Sequence, residues 1–293
     1  MQVHGDIKKV AAIHDLSGFG RSSLTAIIPT LSTMGVQVCP LPTAILSNHT
    51  GGFDRYSYVD LTDTMPAFID EWKNLGLKFD SIYSGFLGST RQIEIVSDFI
   101  DHFRGEDALV VVDPVMADNG ELYSAFTEEI IPAMARLVEK ADMITPNFTE
   151  AALLLGYKEP PMPISDDMAK DWLRRLSDLG PRIVVITSSP DPVNVQNTNV
   201  LAYDKVDGTF WKVGCRYIPA EYPGTGDTFT SVVIGSLLQG DSLPVALDRA
   251  TQFISQCIKA SFGFKYPKRN GVLLEKELGI LNMPVLISGY EMM

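Results

Sequence analysis

The stretch Pro223-Gly224-Thr225-Gly226-Asp227-Thr228-Phe229 combines residue types that could hold a phosphoryl group and remove a proton beside it. The apolar run 229–238 carries Val232, Val233, Ile234, Leu237 and Leu238 at helical spacing, which puts Asp227 at or near a helix N-terminus. Free amides at such an end, with the positive end of the helix dipole, form an anion site. Glycines at 224 and 226 let the main chain approach that anion closely. A carboxylate would repel the anion unless its task is to take a proton from an attacking hydroxyl while the amides hold the phosphoryl group. The plainer alternative is an Asp helix cap between turn glycines. The surroundings must decide between the two.

Other polar clusters also follow apolar runs. Asp113-Pro114-Val115-Met116-Ala117-Asp118 comes directly after 109–112. A carboxylate at a strand end beside a proline suits Mg²⁺, directly or through water; it also suits a simple turn. Asn147-Phe148-Thr149-Glu150 reads as a helix start, with Asn147 or Thr149 as cap and an acidic first turn. The functional alternative is that Asn147 and Glu150 hold a hydrated metal near nucleotide phosphates. Asp15 follows 9–14, Ser47-Asn48-His49-Thr50-Gly51-Gly52 follows the strand 36–41, and Thr187-Ser188-Ser189 follows 183–186. In open α/β sheets ligands bind at the carboxyl ends of the strands. The recurrence of polar residues there is the strongest structural hint in the chain.

The elements that must position these residues are short apolar strands at 9–14, 36–41, 79–83, 109–112, 143–144 and 183–186. They alternate with helical patterns at 22–34, 63–75, 89–103, 128–139, 151–155 and 167–179. Strands that are apolar throughout imply a mostly parallel sheet covered on both faces, hence a three-layer, doubly wound α/β fold. Segment 15–20 is expected as a loop. Asp207-Gly208 between 200–203 and 209–213 signals a hairpin, an antiparallel edge to that sheet. Helices at 229–238 and 245–260 and a looser tail close the chain. With no repeat and no linker-like shift, the 293 residues read as one domain, 1–293.

Composition removes several function classes. The chain is 45% hydrophobic and 20% charged, as in globular proteins with a sizeable core. A net charge of −12 argues against nucleic acid or an anionic membrane surface as partner. A bound nucleotide remains open, since amides and Mg²⁺ can neutralise its phosphates. Cys39, Cys215 and Cys257 form no CxxC pair, and a reduced, cytoplasmic setting is expected. The N-terminal residues lack a secretory pattern, and no apolar run reaches about 18 residues. The G-x-x-x-x-G-K-[ST] motif is absent, and Ser23 and Phe229 stand where G-x-G-x-x-G needs its third glycine. This disfavours a dinucleotide dehydrogenase. His4, His14, His49 and His102 show no zinc-like spacing, and Phe99 and Phe103 read as core.

Gly224-Thr225-Gly226-Asp227 resembles the signature of the ribokinase-like (PfkB) superfamily, and Asn147-x-x-Glu150 resembles its metal motif. Ser47-Asn48-His49-Thr50-Gly51, Asp113-Pro114-Val115-Met116, Ile144-Thr145-Pro146-Asn147 and Val185-Ile186-Thr187-Ser188-Ser189 resemble pyridoxal kinases, in that family's order. The likeness runs from about residue 10 to residue 260. It implies a ribokinase-like fold and ATP-dependent phosphorylation of the 5′-hydroxymethyl group of a vitamin B6 vitamer (pyridoxal, pyridoxamine or pyridoxine). It casts Asp227 as base, with the amides of Gly224, Thr225 and Gly226 as anion hole. Asp113, Asp118, Thr145, Asn147, Glu150, Thr187, Ser188 and Thr225 would surround Mg-ATP, with Asp113 and Glu150 toward the metal, directly or through water. Asp15, Ser17, Ser47, His49 and Thr50 would join Asp227 at the vitamer. The same resemblance implies a homodimer and leaves room for a monovalent cation. The short loop Asp15-Leu16-Ser17-Gly18-Phe19-Gly20 is closer to hydroxymethylpyrimidine kinases, whose reaction stands as the alternative. Gly52-Phe53 replaces a tyrosine common in the family, leaving Phe19 and Phe86 as stacking candidates. A catalytically idle binder of B6 vitamers or nucleotide is the remaining alternative, and the intact Asp227 and glycine loop speak against it.

Overall fold

The computed structural model describes residues 7–158, 162–194, 196–284 and 289–293. Its centre is a ten-stranded sheet. In chain order the strands are β1 (Lys9–Ser17), β2 (Gln37–Leu46), β3 (Tyr58–Asp60), β4 (Ser81–Ser84), β5 (Leu109–Val112), the small hairpin β6 (Ala117–Asp118) and β7 (Glu121–Leu122), β8 (Met143–Ile144), β9 (Ile183–Pro190), β10 (Asn197–Asp204), β11 (Thr209–Arg216) and β12 (Tyr290–Met292). Their spatial order is β12-β11-β10-β9-β8-β5-β4-β1-β2-β3, with β6 and β7 apart as a two-stranded sheet. Six neighbours, from β9 to β2, pair in parallel. Both edges are antiparallel, through β10, β11 and β12 on one side and β3 on the other.

Alternation along the buried strands creates two cores. Val10, Ala12, Tyr83, Val111 and Met143 face helices α1 (Leu24–Thr33), α7 (Thr225–Leu238) and α8 (Leu243–Phe262). Ala11, Ile13, Ile82, Val110 and Val112 face α2 (Met65–Asn74), α3 (Thr90–Phe103), α4 (Ile130–Val138), α5 (Phe148–Leu154) and α6 (Asp166–Ser177). Each fully buried Ile, Leu or Val contributes about 1.5–3 kcal/mol relative to exposure. With both faces covered, no strand needs a polar side, hence the near-continuous apolar runs. Phe99 and Phe103 lie in the second core, as expected.

From β1 the chain steps to β2 on one side and returns across β1 to β4 on the other. The reversal between β1 and β4 is a topological switch point, where the crossovers diverge and leave a crevice. Asp15 and Ser17, expected in a loop, belong instead to β1. That strand continues because β2 itself runs to Leu46, and pairing resumes at Leu16–Ile45 after an irregularity beyond His14. The tail, expected as loose, returns as β12 against β11.

Candidate active site

Gly224 precedes α7 with φ 79° and ψ 4°, a left-handed conformation that suits glycine. A Cβ there would also lie 1.9 Å from the carbonyl oxygen of Arg21, so the turn and the 20–23 segment touch backbone to backbone. No side chain caps the helix, which leaves the amides of its first turn open to an anion. Asp227 is the third helical residue, so the simple Asp-cap reading is displaced. Its Oδ2 accepts a hydrogen bond from the Ser23 amide at 2.7 Å. Its Oδ1 faces Nδ1 of His14 at 3.7 Å. Burial pushes the Asp227 carboxyl up to about 6; the Ser23 amide pulls it down and nearby Asp15 pushes it further up.

Asp15 is buried at the end of β1 and accepts hydrogen bonds from the hydroxyls of Ser17 and Ser23. Burial raises its carboxyl too, against those two bonds. His49 lies close enough for its charge to act on Asp15. Both His49 nitrogens are engaged, Nε2 with the Arg269 carbonyl at 2.6 Å and Nδ1 as acceptor of the Gly51 amide at 3.1 Å. The ring therefore ties the 49–52 turn to the segment around 269. Phe53 stacks edge-on to His49 and Phe19, and the Arg269 guanidinium sits over its ring at 4.9 Å. Ser47 donates to Asn48 and accepts from the Ser57 amide, stitching its own loop, and Thr50 is exposed. A cleft of about 300 Å³ opens here between Gly18–Arg21 and Tyr266, Asn270, Leu273 and Glu275. Of the two stacking candidates, exposed Phe19 lines this cleft, whereas Phe86 packs against Phe126.

On the other side of Asp227, Asp113 is buried after β5 and interacts with the Thr145 side chain. Burial first, then the charges of Glu150 and Asp227, hold its carboxyl well above the usual range. Thr145 accepts from the hydroxyl of Thr230 on α7 at 3.1 Å. Asn147 caps α5, and Glu150 closes a capping box by accepting the Asn147 amide. The second Glu150 oxygen accepts the Met116 amide at 3.0 Å. Both readings of Asn147-x-x-Glu150 thus share one geometry, a cap whose carboxylate is buried beside Asp113. Asp118 sits exposed on the β6–β7 hairpin and accepts the Asn119 amide. Thr187 bridges to Asn147, Ser188 takes φ 58° at an irregularity between β9 and β10, and the Thr225 hydroxyl donates to the Tyr222 carbonyl.

The phosphomethylpyrimidine kinase family model matches residues 12–272. The chain belongs to the phosphomethylpyrimidine kinase family. A Bacteroides thetaiotaomicron protein, described as a candidate phosphomethylpyrimidine kinase and crystallised with pyridoxal, is 57% identical, covers 98% of this chain and 100% of its own, and superposes with a TM-score of 0.94. The pyridoxal kinase of Lactobacillus plantarum is 31% identical over 94% of this chain and 97% of its own, with a TM-score of 0.85. The pyridoxal kinase of Arabidopsis thaliana is 28% identical over 84% of this chain and 78% of its own. The ribokinase-like fold and the kinase kinship expected from the ordered motifs are thereby borne out.

Within this family frame, one central residue escaped the motif reading. His14, which shows no zinc-like spacing in the sequence, is fully buried directly beside Asp227. The signal was its place at the end of the first apolar strand, the same position type that singled out Asp113 and Thr187. The site residues also fit Mg²⁺ by their chemistry. Mg²⁺ is held by one or two carboxylates with phosphate oxygens and water, and Asp113 and Glu150 are two adjacent buried carboxylates. Because both Glu150 oxygens already accept amides, Asp113 would be the nearer donor to such an ion and Glu150 the outer one.

Proposed function

We propose that this chain transfers the γ-phosphoryl group of ATP to the 5′-hydroxymethyl group of a vitamin B6 vitamer. The observation that carries the reading is Asp227, a partly buried carboxylate in the first turn of a helix whose first amides are open. The amides of Thr225 and Gly226, with the backbone at Gly224, hold phosphoryl oxygens, while Asp227 accepts the proton of the attacking hydroxyl. ATP supplies the phosphoryl group, and Asp113 with Glu150 would hold a Mg²⁺ that offsets charge on its oxygens. Asp118, Thr145, Asn147, Thr187, Ser188 and Thr225 belong to the nucleotide side. Asp15 and Ser17 hold the vitamer ring. Ser47, His49 and Thr50 shape that pocket, His49 by pinning the turn rather than by presenting a free nitrogen. The whole chain, 1–293, acts as one kinase domain in a homodimer, with a monovalent cation as an optional activator.

Support for a B6 vitamer comes from the pyridoxal complex of the Bacteroides relative and from the two pyridoxal kinases. The second reading, a hydroxymethylpyrimidine kinase, is favoured by the family model and by the short turn after Asp15. A coupled assay of ADP release with pyridoxal, pyridoxamine, pyridoxine, hydroxymethylpyrimidine and ribose in parallel tests both. Turnover with a B6 vitamer is expected; turnover with hydroxymethylpyrimidine alone would move the assignment, and none with any acceptor would favour an idle binder.

A further inference from the structure

His14 is held in place by packing, with the Tyr83 backbone as the nearest hydrogen-bonding group to its ring. It projects from β1 onto the same face as Val10 and Ala12, toward α7, and is 0% exposed. Its ring stands edge-on over Tyr83 of β4, with centroids 4.3 Å apart. Gly85 makes the space, since a Cβ at that position would lie 2.3 Å from Cε1 of His14. Among the described residues neither ring nitrogen has a hydrogen-bond partner of good geometry, which is uncommon for a buried imidazole. Nδ1 points at Oδ1 of Asp227 from 3.7 Å. That oxygen is the one the Ser23 amide leaves free.

We propose that His14 is the positioning residue of Asp227, presenting Nδ1–H to Oδ1 and steering that oxygen toward the acceptor hydroxyl. The inference rests on Asp227 as base and deepens that reading. A lone pair on Nδ1 facing a carboxylate would be repulsive, whereas an N–H is attractive, so the carboxylate selects the Nδ1–H tautomer. Burial lowers the imidazole to about 3, against a hydrogen bond to the Tyr83 backbone, so the ring is neutral at neutral pH. A neutral donor orients the carboxylate without the tight pairing a cation would impose. At 3.7 Å the contact is longer than a hydrogen bond, leaving Oδ1 room to swing toward a substrate proton. The place is the switch point between β1 and β4, where the crossovers diverge.

The other titratable groups facing Asp227 are Asp15 beside His14, Asp113 after β5, Tyr83 from β4 and Tyr123 after β7. They are common to every His14 variant, so differences between variants isolate the imidazole. His14→Phe keeps ring volume and removes the donor; His14→Asn keeps a donor near the Nδ1 position. With pyridoxal and Mg-ATP, H14F should lose about tenfold in kcat with little change in KM for ATP, and its acid limb should move up by about one pH unit. H14N should recover most of the rate and a limb near that of the wild type. Equal losses in H14F and H14N, tracking a drop in melting temperature, would mean that the ring only fills space and would overturn the proposal. So would an unmoved limb in H14F with kcat within twofold. If H14F does not fold, H14N alone decides, because a limb displaced in H14N despite its retained donor also refutes the idea. Asp227→Asn separates the two levels: an inactive D227N beside an unaffected H14F sinks only the His14 role, whereas an active D227N sinks the base and this inference together.

Discussion

Asp227→Asn is the substitution with the sharpest consequences, because the site holds the two side chains in the same geometry. The Asn oxygen can still accept the Ser23 amide that Oδ2 now accepts at 2.7 Å. Its amide nitrogen then faces Nδ1 of His14, which can present its lone pair by changing tautomer. Shape and hydrogen bonds survive, and only the proton acceptor is lost. A general base contributes about 10²- to 10⁴-fold, so kcat should fall at least about 10²-fold while KM for ATP stays near its original value. Stability should move the opposite way. The Asp227 carboxyl is raised from 3.8 to about 6 by burial, so the folded protein binds this proton more tightly than the unfolded chain. The associated stability is complete below 3.8 and is lost as pH rises through about 6. That interval of roughly two pH units corresponds to about 3 kcal/mol at most. Asn has no proton to lose, so D227N should gain on the wild type between pH 4 and 6 and keep that advantage above it. Steady-state kinetics with pyridoxal and urea midpoints at pH 4, 5, 6 and 8 read both effects. Turnover of D227N within tenfold of the wild type would refute the base, and a stability difference independent of pH would refute the buried ionisation.

Three further substitutions probe the parts around it. Gly224→Ala places a Cβ against the Arg21 carbonyl in a left-handed conformation and should cost at least about 2 kcal/mol in denaturant midpoint, with activity falling alongside. Glu150→Gln turns one acceptor toward the Met116 or Asn147 amide as a donor and should destabilise by about 1–3 kcal/mol, most at low pH, because burial already favours the protonated wild-type carboxyl there. E150Q should also raise the Mg²⁺ concentration for half-maximal turnover, and an unchanged Mg²⁺ titration would remove Glu150 from the metal's surroundings. His49→Ala releases the tie between Gly51 and Arg269 and should raise KM for the vitamer about tenfold, leaving KM for ATP alone; equal effects on both would place His49 elsewhere in the mechanism.

The six parallel strands were legible because Val110, Val111 and Val112, like Ile183 to Ile186, need cover on both faces and show no alternation. The strand ends were legible for a related reason: a polar residue that breaks such a run must meet either solvent or a ligand. Asp113, Thr145 and Thr187 stood out in this way. What stayed hidden depends on partners remote in sequence. β3 is three exposed residues with no pattern, ordered by pairing with 44–46. β12 exists because 211–213 offer an unpaired edge. The engagement of both His49 nitrogens depends on the carbonyl at 269, which no spacing near 49 announces. His14 was hidden twice, by looking like an ordinary strand residue and by depending on Gly85 for the space it fills.

Four carboxyls gather around the switch point, and burial raises all four: Asp15, Asp113, Glu150 and Asp227. Such a concentration opposes folding at neutral pH, and perturbed groups of this kind cluster where chemistry needs them. Their bonding separates their roles. Both oxygens of Asp15 accept serine hydroxyls, and both oxygens of Glu150 accept backbone amides. Carboxylates bonded through both oxygens are held in orientation and have fewer lone pairs free for a substrate proton. Asp113 is held well above the usual range by burial and the adjacent Glu150 charge, so its ionised form would need a cation beside it to offset that charge. Asp227 alone combines a value of about 6, and hence an ionised form at neutral pH, with an oxygen that meets only a neutral imidazole at 3.7 Å. On the proposed reading, Asp227 is the base because it joins an ionisable carboxyl to an oxygen that the Ser23 amide leaves uncommitted.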